Sequence, residues 1–248
     1  MQSSDQIPPR REFKYLLDRA RIPALRAAIA PFCTLDPFAG ADNAYALRSL
    51  YLDAPDMRLY HANEREAPVR FKARIRCYPE AERSPVFAEL KFRDGDVIRK
   101  TRERLPSDDW RAGLQERGPL GGFVHRMHRH DLQPVVLVEY RREAWASSVD
   151  PYARVTWDSA IRCQAMRRWS LEADPRRWRP IDHGLLTFMD RSPVVLELKW
   201  GRYAPPWMMR VAQGLDLFRH SFSKYCYSML SLAEDHVRDS REAQSVWI

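Results

Sequence analysis

From residue 11 to residue 200 the chain is dominated by short segments in which apolar and polar residues alternate with a spacing of two. That is the pattern of strands carrying one face of each kind. The segments are REFKYLLD, YALRSLYLD, VRFKARIRCY, VFAELKFR, VIRKTRERL, VVLVEYRREAW, ARVTWD and VVLELKW, separated by breaks that bear Pro, Gly or Asp. Eight such strands can close on themselves. The fold class predicted is α+β: an eight-stranded antiparallel β-barrel with flanking and C-terminal helices. RIPALRAAIAPF has apolar residues at helical spacing. SDDWRAGLQERG reads as a helical connection with Ser107 as N-cap and Gly118 as stop, continuing into GGFVHRMHRH. PPWMMRVAQGLDLFRHSF and SKYCYSMLSLAEDHV read as one or two helices packed on, or plugging, the barrel. Residues 1–9 are expected to form a disordered leader, 10–238 a single domain and 239–248 a tail.

Alternation also sorts the charges. It puts Arg70, Lys72, Arg74 and Arg76 on one side of their strand and Phe71, Ala73 and Ile75 on the other. In the same way it aligns Glu89 with Lys91 and Arg93, Lys100 with Arg102 and Arg104, and Glu197 with Lys199. Glu139, Arg141 and Glu143 fall on one face, as do Arg154, Thr156 and Asp158. For one strand, a solvated charged face over a core is the plain reading. Repeated through most strands, with helices available to cover the apolar side, it permits an inversion in which apolar faces point outward and charge lines a tunnel. Unpaired buried charge is costly, so such a tunnel calls for water, a polyanion or a metal. Lys and Arg would grip phosphate oxygens, and Glu would hold a divalent cation.

Composition sharpens this picture. The 248 residues carry a formal charge of +8, which favours polyanionic partners. Of 41 basic residues only six are Lys: Lys14, Lys72, Lys91, Lys100, Lys199 and Lys224. In a chain so biased toward Arg, each retained Lys marks a place where a compact point charge is preferred to a planar fork. Three of them occur as Glu-x-Lys (Glu12 with Lys14, Glu89 with Lys91, Glu197 with Lys199), which in a strand puts acid and ammonium on one face. The four cysteines form no Cys-x-x-Cys pair, so a reducing compartment without structural zinc is expected. The longest aliphatic run, Val135 to Val138, is far shorter than the roughly 20 residues of a membrane span. With no signal-like N-terminus, the expected localisation is cytoplasmic. His125, His128 and His130 read as solvated, and Trp207, Met208 and Met209 as helix packing. No Walker A, nucleophile elbow or kinase signature is present. Nucleic acid is not an expected partner, because the basic residues alternate within strands without an exposed aromatic platform.

In order along the chain, REFKY, SLYLD, FKARIRCY, FAELKF, RKTRER, VEYRREAW, RVTWD, VVLELK and SKY resemble the VTC domain. This is the polyphosphate-polymerase domain of the vacuolar transporter chaperone family, in the triphosphate tunnel metalloenzyme superfamily. The resemblance implies an antiparallel eight-stranded tunnel that binds ATP and a divalent metal, Mn²⁺ or Mg²⁺, and lengthens a polyphosphate chain. It assigns Lys91, Arg154 and Lys224 to catalysis, Lys14, Arg74, Arg76, Lys100, Arg102 and Lys199 to substrate phosphates, and Glu197 to the metal, with Glu89 and Glu12 in reserve. One departure stands out: Arg10, Glu12 and Lys14 replace the superfamily's opening Glu-x-Glu-x-Lys, so one acidic ligand is missing. That favours the polymerase-like branch over a two-metal triphosphatase. Regulation and export are expected from other chains, including a separate membrane protein that would hold this one at the inner face of a membrane. A non-catalytic polyphosphate- or nucleotide-binding module and a triphosphate hydrolase are the alternative readings.

Overall fold

The computed structural model describes residues 7–106, 108–114, 121–150, 152–187 and 192–233. In chain order the elements are β1 (Ile7–Leu17), α1 (Ile22–Ile29), β2 (Cys33–Leu35), β3 (Tyr45–Asp53), α2 (Arg58–Glu64), β4 (Val69–Cys77), β5 (Val86–Asp94), β6 (Val97–Leu105), α3 (Trp110–Gly113) and α4 (Gly121–Arg129). There follow β7 (Gln133–Ser147), β8 (Arg154–Ala165), β9 (Arg179–Pro180), α5 (Gly184–Thr187), β10 (Val194–Trp200) and α6 (Pro206–Gly214). A last helix, α7, runs over 224–233.

The strand order β7-β3-β4-β5-β6-β1-β10-β8 returns to β7 through a β7–β8 pairing, so the sheet closes with eight antiparallel staves. Each of the eight alternating segments is one stave. The two-residue strand β9 and the three-residue β2 pair at the outside of β8 and β7. Closure leaves the staves without free edges, and period-two alternation then sends one face of every stave into the lumen. β1 begins at Ile7, ahead of the expected domain start. Ser107, Gly118 and the expected domain end at 238 lie outside the described residues, and the described cap of α3 is Asp109, which accepts from the Ala112 amide.

Two apolar cores lie outside the barrel. Leu17, Leu196, Leu198 and Trp200 project from β1 and β10 under Leu25 and Ile29 of α1 and Trp207 and Met208 of α6. Leu50, Ile75, Leu90 and Leu105 project from β3 to β6 under Leu59 of α2, Trp110 of α3 and Phe123 and Val124 of α4. A third core fills one end of the lumen: Tyr51, Val136, Val138, Ile161, Cys163 and Val195 meet Phe222 and Tyr225 at the start of α7. The last helix is thus a plug. Asp53 fixes it. Its carboxylate, withdrawn from solvent, accepts from the Leu59 and Tyr60 amides of α2 and from the Tyr225 hydroxyl. The ring of Tyr225 also stacks on Tyr51 at 5.2 Å.

Two departures from simple alternation shape the lumen. In β7 the face bearing Glu139, Arg141 and Glu143 points outward, contrary to expectation. Glu139 pairs there with Arg48 and Arg162, Arg141 with Glu80 and Asp42, and Glu143 with Arg26. Exterior arginines supply counter-charges to that face, which leaves Tyr140 and Arg142 to face inward. In β8 the register against β7 shifts between Glu139 and Arg141, and Ala160 takes a positive φ of 49°. This bulge lets both Asp158 and Ile161 point inward although they lie an odd number of positions, three, apart. No helix among the described residues is long and apolar enough to cross a membrane.

Candidate active site

Ten Lys and Arg side chains and three glutamates line the polar part of the lumen, and all six lysines of the chain are among them. A fourth carboxylate, Asp158, lies behind Arg142 and is fully buried. The space left between these groups is only about 90 Å³, because the side chains close on one another. It opens past Lys14, Lys72 and Lys91 into an outer chamber of about 410 Å³ that adds Arg70, Arg93, Arg219 and His220.

The acids organise the cations into groups. Glu89 receives Arg74 at 2.7 Å, Lys100 at 2.6 Å and Arg102 at 2.8 Å, with Arg76 at 3.7 Å. Burial alone would raise the Glu89 carboxyl, yet these cations, Arg76 and Arg74 foremost, hold it well below the usual carboxylate range. Glu12 receives Lys91 at 2.9 Å. Glu197 receives Lys199 at 2.5 Å and Arg142 at 3.6 Å. Both carboxyls are likewise depressed against the effect of burial, by Lys91 and Lys199 respectively. Lys14 links the two acids, lying 3.8 Å from Glu12 and 3.6 Å from Glu197. Asp158 accepts two bonds from Arg142, at 2.7 and 2.8 Å, and an ion pair from Lys224.

The cations outnumber the acids, and some hydrogen-bond to neutral groups. Lys72 donates to Ser223 Oγ at 2.7 Å, and burial pushes its ammonium well below the usual lysine range. Arg76 donates to the Tyr140 hydroxyl at 3.0 Å. Arg10 Nε is buried without a hydrogen-bond partner. Ion pairs of this kind can be exchanged for phosphate oxygens without stranding a charge, provided the occupant brings enough negative charge.

Of the residues assigned from the sequence, Lys14, Arg74, Arg76, Lys91, Lys100, Lys199, Lys224 and Glu197 line this one lumen. Arg102 sits beside it, bonded to Glu89 and lying over the Phe87 ring at 4.7 Å. Arg154 is exposed, at the end of the inward row Asp158, Thr156, Arg154, where β8 starts. Tyr51, Tyr140, Arg142 and Ser223 were not assigned beforehand. Arg142 could have been found only by knowing which face of β7 turns inward, and Ser223 only by knowing that α7 enters the lumen.

For a divalent cation, Glu12 and Glu197 are the fitting pair: two hard oxygen donors converging on Lys14. No group of three or more His, Cys, Asp or Glu that could hold a metal occurs among the described residues. Two carboxylates suffice for an ion such as Mg²⁺ when phosphates and water complete its shell.

A closed eight-stranded antiparallel barrel with a cation-rich lumen is the architecture of the triphosphate-tunnel proteins. The model of the VTC domain matches residues 9–233, and the chain belongs to that family. Among solved structures, a candidate adenylate cyclase from Bacillus halodurans superposes with a TM-score of 0.54 at 12% identity, covering 88% of this chain and 96% of that one. The PH1819 protein of Pyrococcus horikoshii OT3 gives 0.46 at 12% identity over 91% and 98% of the two chains. A candidate adenylyl cyclase from Hippeastrum with a dominant triphosphatase activity gives 0.46 at 10% identity over 91% and 96%. None of the curated proteins matches the sequence. Family and fold together support a nucleotide- or phosphate-handling tunnel.

Proposed function

We propose that the protein is a polyphosphate polymerase: a metal-dependent phosphotransferase that moves the terminal phosphoryl group of ATP onto a polyphosphate chain held in the lumen. The observation that carries this reading is the gathering of every lysine of an arginine-rich chain on one lumen, with ten cations facing four carboxylates. In the reaction, an oxygen of the chain's terminal phosphate attacks the γ-phosphorus. A new P–O bond forms, the bond from the γ-phosphorus to the β–γ bridging oxygen breaks, ADP leaves, and the chain is one unit longer. A terminal phosphate is already largely ionised near neutral pH, so no strong general base is required.

Phosphoryl transfer has a loose transition state, so the work of the protein is positioning and charge stabilisation. Lys91, Lys14 and Arg74 would bind the phosphates flanking the transferred group, and Lys224, presented by the plugging helix, would stand beside the deepest one. Glu12 and Glu197 would hold Mn²⁺ or Mg²⁺, which when bound neutralises charge on the phosphate oxygens. A partner chain in the membrane would account for chain export.

Incubation of the purified chain with ATP and Mn²⁺ or Mg²⁺, with products resolved on a gel and by ³¹P NMR, tests this. Long polyphosphate with ADP is the expected result. Free phosphate alone would make the protein a hydrolase, and unchanged ATP with tight binding would make it a binding module.

A further inference from the structure

Tyr152 stands just ahead of β8. Ala153 is buried in the outer core beneath α1 and α6, while Tyr152 and Arg154 on either side of it are exposed. On the adjoining strand β10, Lys199 pairs with Arg154, Trp200 belongs to the same outer core, and Gly201 follows directly after the strand. A Cβ placed on Gly201 would sit 3.7 Å from the Cβ of Tyr152, so Gly201 lies against Tyr152 and presents no side chain to it. Tyr152 is 58% exposed. It takes part in no ring stack or cation–π contact among the described residues, whereas the nearby Tyr203 already carries the Arg202 guanidinium at 5.2 Å.

The loop that presents Tyr152 is pinned. Ser147 Oγ accepts from the Val149 and Asp150 amides at 3.2 and 3.0 Å, and Asp150 Oδ1 accepts from the Tyr152 amide at 3.0 Å. Just inside lie two guanidiniums with spare capacity. Arg154 makes no ion pair among the described residues, and Arg10 Nε is buried without a partner. A strand rises about 3.3 Å per residue, so along β8 Thr156 lies roughly 7 Å further in than Arg154, which in turn lies inward of Tyr152 in the chain. A flat apolar face at the rim, then open guanidiniums, then lysines is the order of groups in a nucleoside triphosphate read from base to γ-phosphate.

We propose that Tyr152 is the stacking platform for the nucleobase of the entering nucleoside triphosphate, with Gly201 leaving space for the base and Arg154 and Arg10 taking the first phosphate. This inference rests on the phosphate reading of the lumen and adds the rim at which nucleotide enters. A π-face accepts any base, so the platform favours nucleotide over bare phosphate chain without selecting among purines.

The test is calorimetric titration with two probes, the β,γ-imido analogue of ATP and tripolyphosphate, against the parent chain, Tyr152→Ala and Tyr152→Phe. Tyr152→Ala is expected to weaken the nucleotide analogue about tenfold, the scale of one lost base–aromatic stack, while tripolyphosphate stays within about twofold. Tyr152→Phe is expected to bind both probes like the parent. Equal weakening of both probes by Tyr152→Ala, or an unchanged nucleotide affinity, overturns the platform and leaves the phosphate tunnel standing. A parent chain that binds neither probe overturns the tunnel reading and the platform with it.

Discussion

Lys224 at the start of α7 is ion-paired with Asp158 on β8, with both side chains withdrawn from solvent. The ammonium also stands 4.6 Å from the centre of the Tyr140 ring. Burial alone would lower the Lys224 ammonium, but Asp158 and then Glu197 raise it above the usual lysine range, so it stays charged in the lumen. The two partners differ in what their removal leaves behind. Without Lys224, Asp158 keeps its paired bonds from Arg142; without Asp158, Arg142 and Lys224 face each other without that carboxylate between them.

Lys224→Ala is therefore expected to lower turnover by orders of magnitude while shifting the denaturation midpoint little. Lys224→Arg should restore charge and only part of the rate, because a planar fork cannot occupy the place of a point charge. Asp158→Ala is expected to destabilise the fold by about 3–5 kcal/mol, the scale for breaking a buried ion pair from one side. Urea denaturation read beside turnover checks both. A Lys224→Ala chain with parental turnover at saturating ATP and metal would reduce α7 to a buttress.

The lysines also set a pH dependence. Burial pushes the Lys91 ammonium down to about 8, with Glu12 pulling it the other way. Lys72 and Lys100 are depressed by burial in the same direction. Because the folded value of Lys91 lies below its ordinary 10.5, the penalty for burying its charge is full below about 8 and is relieved as pH rises toward 10.5. A phosphate chain binds the protonated form. Metal-free tripolyphosphate affinity is therefore expected to fall as pH rises through 8, by up to about tenfold per pH unit for each proton taken up. Lys91→Arg should flatten that fall, since Arg does not deprotonate in this range. Titrations from pH 6 to 10 give the answer, and a level profile for the parent would contradict it.

Glu197→Gln keeps the side-chain volume and removes the anionic oxygen that a hard cation prefers. Stimulation by Mn²⁺ or Mg²⁺ should be lost. Metal-free tripolyphosphate should bind more tightly, because one negative charge has left a lumen built for anions. Activity measured over a metal titration reads the first effect and calorimetry the second. An unchanged metal titration would remove Glu197 from the site and turn attention to Glu12.

All eight staves were legible in the sequence because alternation of apolar and charged residues is a local property, and each stave has one apolar outer face to announce it. Scarcity made the lysines legible: with six among 41 basic residues, their shared destination could be sought before any strand was paired. Long-range relations were not legible. The inward turn of Tyr140 and Arg142 depends on Arg48, Arg26 and Arg162 meeting the glutamates of β7 from outside. The continuation of β8 beyond Asp158 depends on the bulge at Ala160, where the period of two breaks. The role of Asp53 in holding the plug depends on Tyr225, which is distant in sequence and adjacent only after closure. The short helix α2 lacked a pattern long enough to declare itself.

On the proposed function, the lumen and not the arginine-rich exterior binds the phosphate chain. The exterior offers a fair competitor, a groove of about 410 Å³ on the outer side of β8 lined in part by Arg167, Arg168 and Arg177. The most direct measurement is calorimetric titration of tripolyphosphate, at fixed salt, into the parent, into the lumenal double variant Lys14→Ala/Lys91→Ala, and into the exterior triple variant Arg167→Ala/Arg168→Ala/Arg177→Ala. Losing two charge-assisted bonds should weaken the lumenal variant by about a hundredfold or more, while the exterior variant, which loses more charge, should bind like the parent. Loss of binding in the exterior variant with the lumenal variant unchanged would place the phosphate chain on the exterior groove instead.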